Sequence, residues 1–177
     1  MTAKRKLAKQ QAAKIRVGIW GLGRAGYGMH VPELLALGSE FEIVAGCDVD
    51  PARLEALRKR IPGAVGYEDG DAFLADPNVE LVAVAVRSTQ HVDYAIRALK
   101  AGKYVMAEKP FALTLQGARK LAREAARYPG RLFVRHNRRL EPAFNHVQEI
   151  IASGILGEVY EIKLCRHHYQ FRGDWQT

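Results

Sequence analysis

The sequence predicts an α/β chain built on a doubly wound parallel sheet, and three observations carry that reading. Strand-like and helix-like patterns alternate from residue 15 to about residue 134. Residues 79–86 form a nearly continuous apolar run without alternation, as expected of a central parallel strand covered on both faces. Gly21, Gly23 and Gly26 fit G-x-G-x-x-G directly after a strand rich in β-branched residues, Ile15, Val17 and Ile19.

The glycine spacing has a physical meaning. The first glycine allows a tight turn. The second lets a pyrophosphate approach the backbone, and the third lets the helix sit close on the strand. Leu22, Arg24 and Ala25 complete the loop, whose backbone N–H groups would face an anion at the helix start. A second strand, residues 41–47, ends in Asp48, about 20 residues beyond the loop, where a carboxylate would bind an adenosine ribose. A glycine-rich turn that binds nothing is the competing account; the strand, the helix and Asp48 together argue against it.

Taken in order, a first helix over 25–37 carries Met29, Leu34, Leu35 and Leu37 on its apolar side, with Pro32 placed to kink it. His30, on this helix, reads as a packing or hydrogen-bonding residue rather than a ligand. Asp50 and Pro51 are the N-cap and first position of a helix ending at residue 60. A short strand at 64–67 and a short helix at 71–75 follow. Ser88 and Thr89 are expected to cap a helix over 90–100, in which Val92, Ala95, Ile96 and Leu99 share a face. A strand at 103–107, an amphipathic helix at 114–128 and a strand at 131–134 complete the alternation. Ligands of such sheets bind beyond the carboxyl ends of the strands. The glycine loop, Asp48, residues 87–91 and Glu108-Lys109-Pro110 all fall at such ends.

Composition narrows the class. The 177 residues are 48% hydrophobic and 26% charged, with no apolar run of membrane-spanning length. Cys47 and Cys165 lie far apart without metal-ligand spacing, so no metal site is expected and a reducing cytoplasm is the default. The net charge of +8 is concentrated early, with Lys4, Arg5, Lys6, Lys9, Lys14 and Arg16 in a run without acids. Residues 1–14 read as a basic tail. It has no aromatic residue and no nucleic-acid-binding fold follows it, so it is read as a solvated extension.

A Lys at a strand end, beside a bound dinucleotide, can hydrogen-bond a substrate hydroxyl or carbonyl and handle its proton. Around Lys109 the passage from Ala98 to Thr114, with Glu108-Lys109-Pro110 at its centre, resembles the signature of the Gfo/Idh/MocA oxidoreductases. The resemblance implies a Rossmann domain over 15–136 that binds NAD, with NADP as the alternative. It implies that Lys109 is the catalytic or substrate-orienting residue, that the bond before Pro110 is cis, and that Glu108 neighbours the cofactor. The substrate would be a sugar, a polyol or a related hydroxyl or carbonyl compound. Val86, Arg87 and Ser88 stand where the family usually has Thr-Pro-Asn, and His91 matches the family's His. Ser88 could replace the hydrogen bond of the missing Asn. Arg87 would either favour an acidic substrate or pair with a neighbouring carboxylate. Asp48 favours NAD by repelling a 2′-phosphate, and Arg53 keeps NADP open.

Arg123, Arg127, Arg131, Arg135, Arg138 and Arg139 are read as a solvated helix face and a structured Asn-Arg-Arg turn, so no nucleic-acid partner is expected. Residues 137–177 resemble the crossing helix and first strand, from Val159 to about His168, of a truncated α+β domain. Family members are longer, and the full-length form is expected to be a homo-oligomer. The chain is therefore either the front half of a longer enzyme or a shortened product, a catalytically incomplete dinucleotide-binding module.

Overall fold

The computed structural model describes residues 13–165, 167 and 169. The basic residues before position 13, His168 and the last residues lie outside that set. The described residues up to His136 form one compact unit, and those from Asn137 form a second.

Six strands make a single parallel sheet: β1 (Ile15–Trp20), β2 (Phe41–Cys47), β3 (Val65–Tyr67), β4 (Leu81–Val84), β5 (Tyr104–Ala107) and β6 (Leu132–Val134). Their order is β3-β2-β1-β4-β5-β6. The chain starts in the middle, winds one way to β3, then returns past β1 and winds the other way. The topological switch point lies between β1 and β4. Five helices serve as connections: α1 (Val31–Ala36), α2 (Pro51–Arg60), α3 (Gly70–Ala75), α4 (His91–Lys100) and α5 (Leu115–Ala125).

Alternation along β1 divides the core into two layers. Val17 and Ile19 point to a face shared with Leu22, Val31, Leu34, Leu54 and Leu57. Trp20 points to the opposite face with Phe73, Leu74, Ala95, Leu99 and Leu121. Between them, Gly18 admits the Phe73 ring, because a Cβ there would come within 2.6 Å of it. Helix starts are fixed locally: Asp50 accepts the Ala52 N–H, Asp69 those of Asp71 and Ala72, and Thr114 that of Gly117. Each such cap contributes about 1 kcal/mol.

Three expectations need correction. The first helix is not simply kinked at Pro32. Its opening turn, Gly26–His30, is π-helical, with the N–H groups of His30 and Val31 reaching five residues back to the carbonyls of Ala25 and Gly26. Pro32 then takes a first-turn position of α1, where a missing N–H costs little. Ser88 and Thr89 do not cap α4. Ser88–Gln90 is a 3-10 turn that runs straight into it, and no side chain caps the junction. Finally, residues 159–165 are not a strand. A strand exists only through a ladder partner, and none of the described residues supplies one. In the second unit, a 3-10 turn (Asn137–Leu140) precedes α6 (Pro142–Ala152), which has no buried residue.

Candidate functional site

Every strand of the sheet's middle ends in residues able to meet a ligand. β1 runs into the glycine loop, β2 into Asp48, β4 into Val86, Arg87 and Ser88, and β5 into Glu108-Lys109-Pro110. β6 runs into Arg135.

The three loop glycines differ in what surrounds them. Gly21 has φ +93°, and a Cβ there would come within 2.8 Å of the Ala85–Val86 backbone. At Gly26 a Cβ would overlap the Gly21 carbonyl oxygen. Gly23 instead faces open space, its nearest neighbour being Arg53 Nη1 at 3.7 Å. The N–H groups of Gly23, Arg24 and Ala25 have no backbone or side-chain acceptor among the described residues. The loop is thus closed where the fold must close and open where an anion could enter. Arg24 is exposed beside it.

Asp48 anchors the loop. Its Oδ2 accepts the Leu22 N–H at 2.7 Å, its Oδ1 accepts the Asp50 N–H at 3.0 Å, and Arg53 Nη1 lies 3.2 Å from Oδ2. The carboxylate is buried, whereas the Arg53 side chain is 49% exposed and also reaches Asp50. Next to Asp48, burial pushes the Cys47 thiol up to about 12, so it stays a protonated core group.

At the end of β5, the Lys109–Pro110 peptide is cis and Lys109 is exposed. Glu108 beneath it is buried. Its Oε1 accepts His30 Nε2 and Arg135 Nη1, each at 3.0 Å, and its Oε2 accepts the Lys109 N–H at 3.2 Å. Arg135 continues to the Glu33 carboxylate at 2.6 Å. Burial pushes the Glu108 carboxyl up, but His30, Arg135 and the Lys109 N–H outweigh it and hold it below the usual carboxylate range. His91 is buried as well, with Nδ1 2.8 Å from the Pro110 carbonyl and Nε2 3.1 Å from that of Val86. Arg87 is exposed and makes no ion pair among the described residues.

The crevice therefore exposes Arg24, Arg87, Lys109 and the open side of Gly23. It turns Asp48, His91 and Glu108 inward. His30, Glu33 and Arg135 were not expected there. Arg135 is the exception to the solvated arginine series: its side chain is only 9% exposed. A signal for it does exist. Ala107 and Val134 are register partners, so the next residues of the two strands, Glu108 and Arg135, must lie side by side. A depression of about 280 Å³, lined in part by Leu34, Phe41 and Ile61, opens at the other end of the sheet, away from these groups.

Strand order 3-2-1-4-5-6 with a glycine loop after β1 defines a nucleotide-binding doubly wound protein. Residues 15–136 match the family model GFO_IDH_MocA, described as an oxidoreductase family with an NAD-binding Rossmann fold, and the chain belongs to this family. It is 34% identical over 167 residues to an uncharacterised oxidoreductase of Schizosaccharomyces pombe, covering 93% of this chain and 45% of that protein. It is 34% identical over 145 residues to an inositol 2-dehydrogenase of Acidothermus cellulolyticus, covering 81% of this chain and 42% of the relative. Among solved structures, the WlbA dehydrogenase of Bordetella pertussis, in complex with NADH and UDP-GlcNAcA, superposes with a TM-score of 0.78 at 29% identity. That match covers 85% of this chain and 43% of the other. The chain thus spans less than half the length of these relatives. No described helix is long and apolar enough to cross a membrane.

Proposed function

We propose that the chain carries the cofactor half of an NAD(P)-dependent dehydrogenase acting on a polyol, a sugar or a related hydroxyl or carbonyl compound. The observation that carries this reading is the loop in which Gly21 and Gly26 are packed shut while Gly23 stays open with free N–H groups around it. A dinucleotide pyrophosphate fits that cradle: the donors of Gly23, Arg24 and Ala25 would hold it, with the Arg24 charge nearby. Leu22 and Gly26 shape the turn from within.

Asp48 would receive the adenosine ribose, and Arg53, half exposed at its side, would meet a 2′-phosphate when the ligand is NADP. Val86 and Ser88 would form the wall under the cofactor, with Ser88 as the hydrogen-bonding member, and the buried His91 would hold that wall from behind at the Val86 carbonyl. A nicotinamide bound there would supply hydride transfer to or from a substrate carbon. Lys109 Nζ would receive the hydroxyl proton as the hydride leaves the same carbon, and return it in the reverse direction. Pro110 and Glu108 would hold it at that place. Arg87, exposed and without an ion pair among the described residues, would meet an anionic group on the substrate.

The experiment uses the natural polypeptide that bears this sequence, screened against polyols, sugars and sugar acids with both cofactors. Lys109→Ala should lower turnover on the order of 10³-fold while NADH binds within about two-fold of wild type. Loss of NADH binding, or undiminished turnover, would overturn the assigned role.

A further inference from the structure

Two buried histidines sit directly under the Glu108-Lys109-Pro110 turn, one on each side of Lys109. His30 is 1% exposed and His91 is 2% exposed. His30 Nε2 lies 3.0 Å from Glu108 Oε1, and an ionised carboxylate only accepts, so this nitrogen carries a hydrogen. Arg135 Nη1 meets the same oxygen. The other Glu108 oxygen takes the backbone N–H of Lys109 itself. On the far side, His91 Nδ1 meets the carbonyl of Pro110 at 2.8 Å. The residues before and after Lys109 are therefore each tied to a buried ring.

Local structure is bent to make this possible. The π-helical turn Gly26–His30 takes one residue more per turn than an α-helix, so it changes the direction in which His30 leaves the helix. Such turns occur often at functional sites. The arrangement also sinks four ionisable or hydrogen-bonding groups into the fold, where apolar residues would pack at no cost in desolvation.

We propose that His30 and His91, with Arg135, are positioning residues for Lys109: they lock the turn that presents its side-chain nitrogen and touch neither cofactor nor substrate. The proposal rests on the proposed role of Lys109. Its first test does not depend on it. Amide hydrogen exchange is followed in the chain with His30→Phe, which keeps a ring and loses the donor, and with His30→Gln, which keeps a donor. The Lys109 amide should exchange at least tenfold faster in His30→Phe and near the wild-type rate in His30→Gln, with Val82 and Val105 unchanged in both. Equal acceleration at Val82 and Val105, or no change at Lys109, overturns the proposal. Should His30→Phe not fold, Arg135→Met at the rim of the cluster gives the same readout.

The second test is kinetic, in the natural polypeptide. His30→Phe should lower kcat 10- to 100-fold with NADH affinity within twofold of wild type, and His30→Gln should restore most of it. Normal kcat in His30→Phe beside an inactive Lys109→Ala rejects the positioning role alone. An active Lys109→Ala rejects the proposed function instead.

Discussion

Two buried carboxylates end adjacent halves of this sheet, and they are held differently. Asp48, after β2, is gripped by the Leu22 and Asp50 N–H groups and by an arginine that is 49% exposed. Glu108, after β5, is gripped by a buried histidine and by an arginine that is 9% exposed. The first arginine is already half in water, and when it leaves, its carboxylate keeps two backbone N–H donors. The second is buried along with its carboxylate. The difference teaches where this fold keeps adaptability and where it keeps rigidity: the side that would meet the adenosine is adjustable at its rim, and the side that carries Lys109 is fixed.

Removing each member of the comparison should expose that contrast. Glu108→Ala leaves His30 buried without its carboxylate and Arg135 with only the half-exposed Glu33, and a loss on the order of 3–5 kcal/mol in urea unfolding is expected. Arg53→Ala removes a half-exposed pair worth about 0–1 kcal/mol. Similar losses at both positions would erase the distinction.

The same contrast has a pH signature. The Glu108 carboxyl is held below its ordinary value of 4.5 in the folded protein. Its contribution to stability is therefore complete above that ordinary value and fades as pH falls through the lower folded value. Unfolding midpoints measured below pH 4.5 should fall more steeply in wild type than in Glu108→Gln. Equal slopes would mean that the cluster is not the source.

The smallest expected effect concerns the adjustable side. Arg53→Ala should weaken NADPH about tenfold and leave NADH nearly unchanged, measured by fluorescence titration. Equal weakening of both would place Arg53 in general support of Asp48 and not in phosphate recognition.

How much of this was legible in the sequence follows from how local each feature is. The glycine loop and Asp48 depend on short spacings around strand ends, and those spacings are in the chain itself, whereas Lys109 stands out only through the resemblance of its surroundings to a known family. The Asp50 cap likewise needs only its own neighbours. His30 and Arg135 become partners of Glu108 only through strand order and register, which put Ala107 beside Val134. An amphipathic helix pattern does not announce a π-helical turn either, so His30 read as a packing or hydrogen-bonding residue while its partner stayed hidden. Residues 159–165 show the converse error. Their resemblance to a family strand implies one, but a strand also needs a neighbour to bond, and none of the described residues supplies it.

The most direct test of the central claim uses Gly23, the one loop glycine with open space around it. The chain and its Gly23→Asp variant are titrated with NADH by calorimetry, with thermal unfolding of both as the control for folding. The account predicts one NADH per wild-type chain, an unchanged melting temperature in the variant, and binding at least 100-fold weaker, because a carboxylate then occupies the anion cradle. Equal NADH binding by both proteins would contradict it, and the crevice at the strand ends would not be the dinucleotide site.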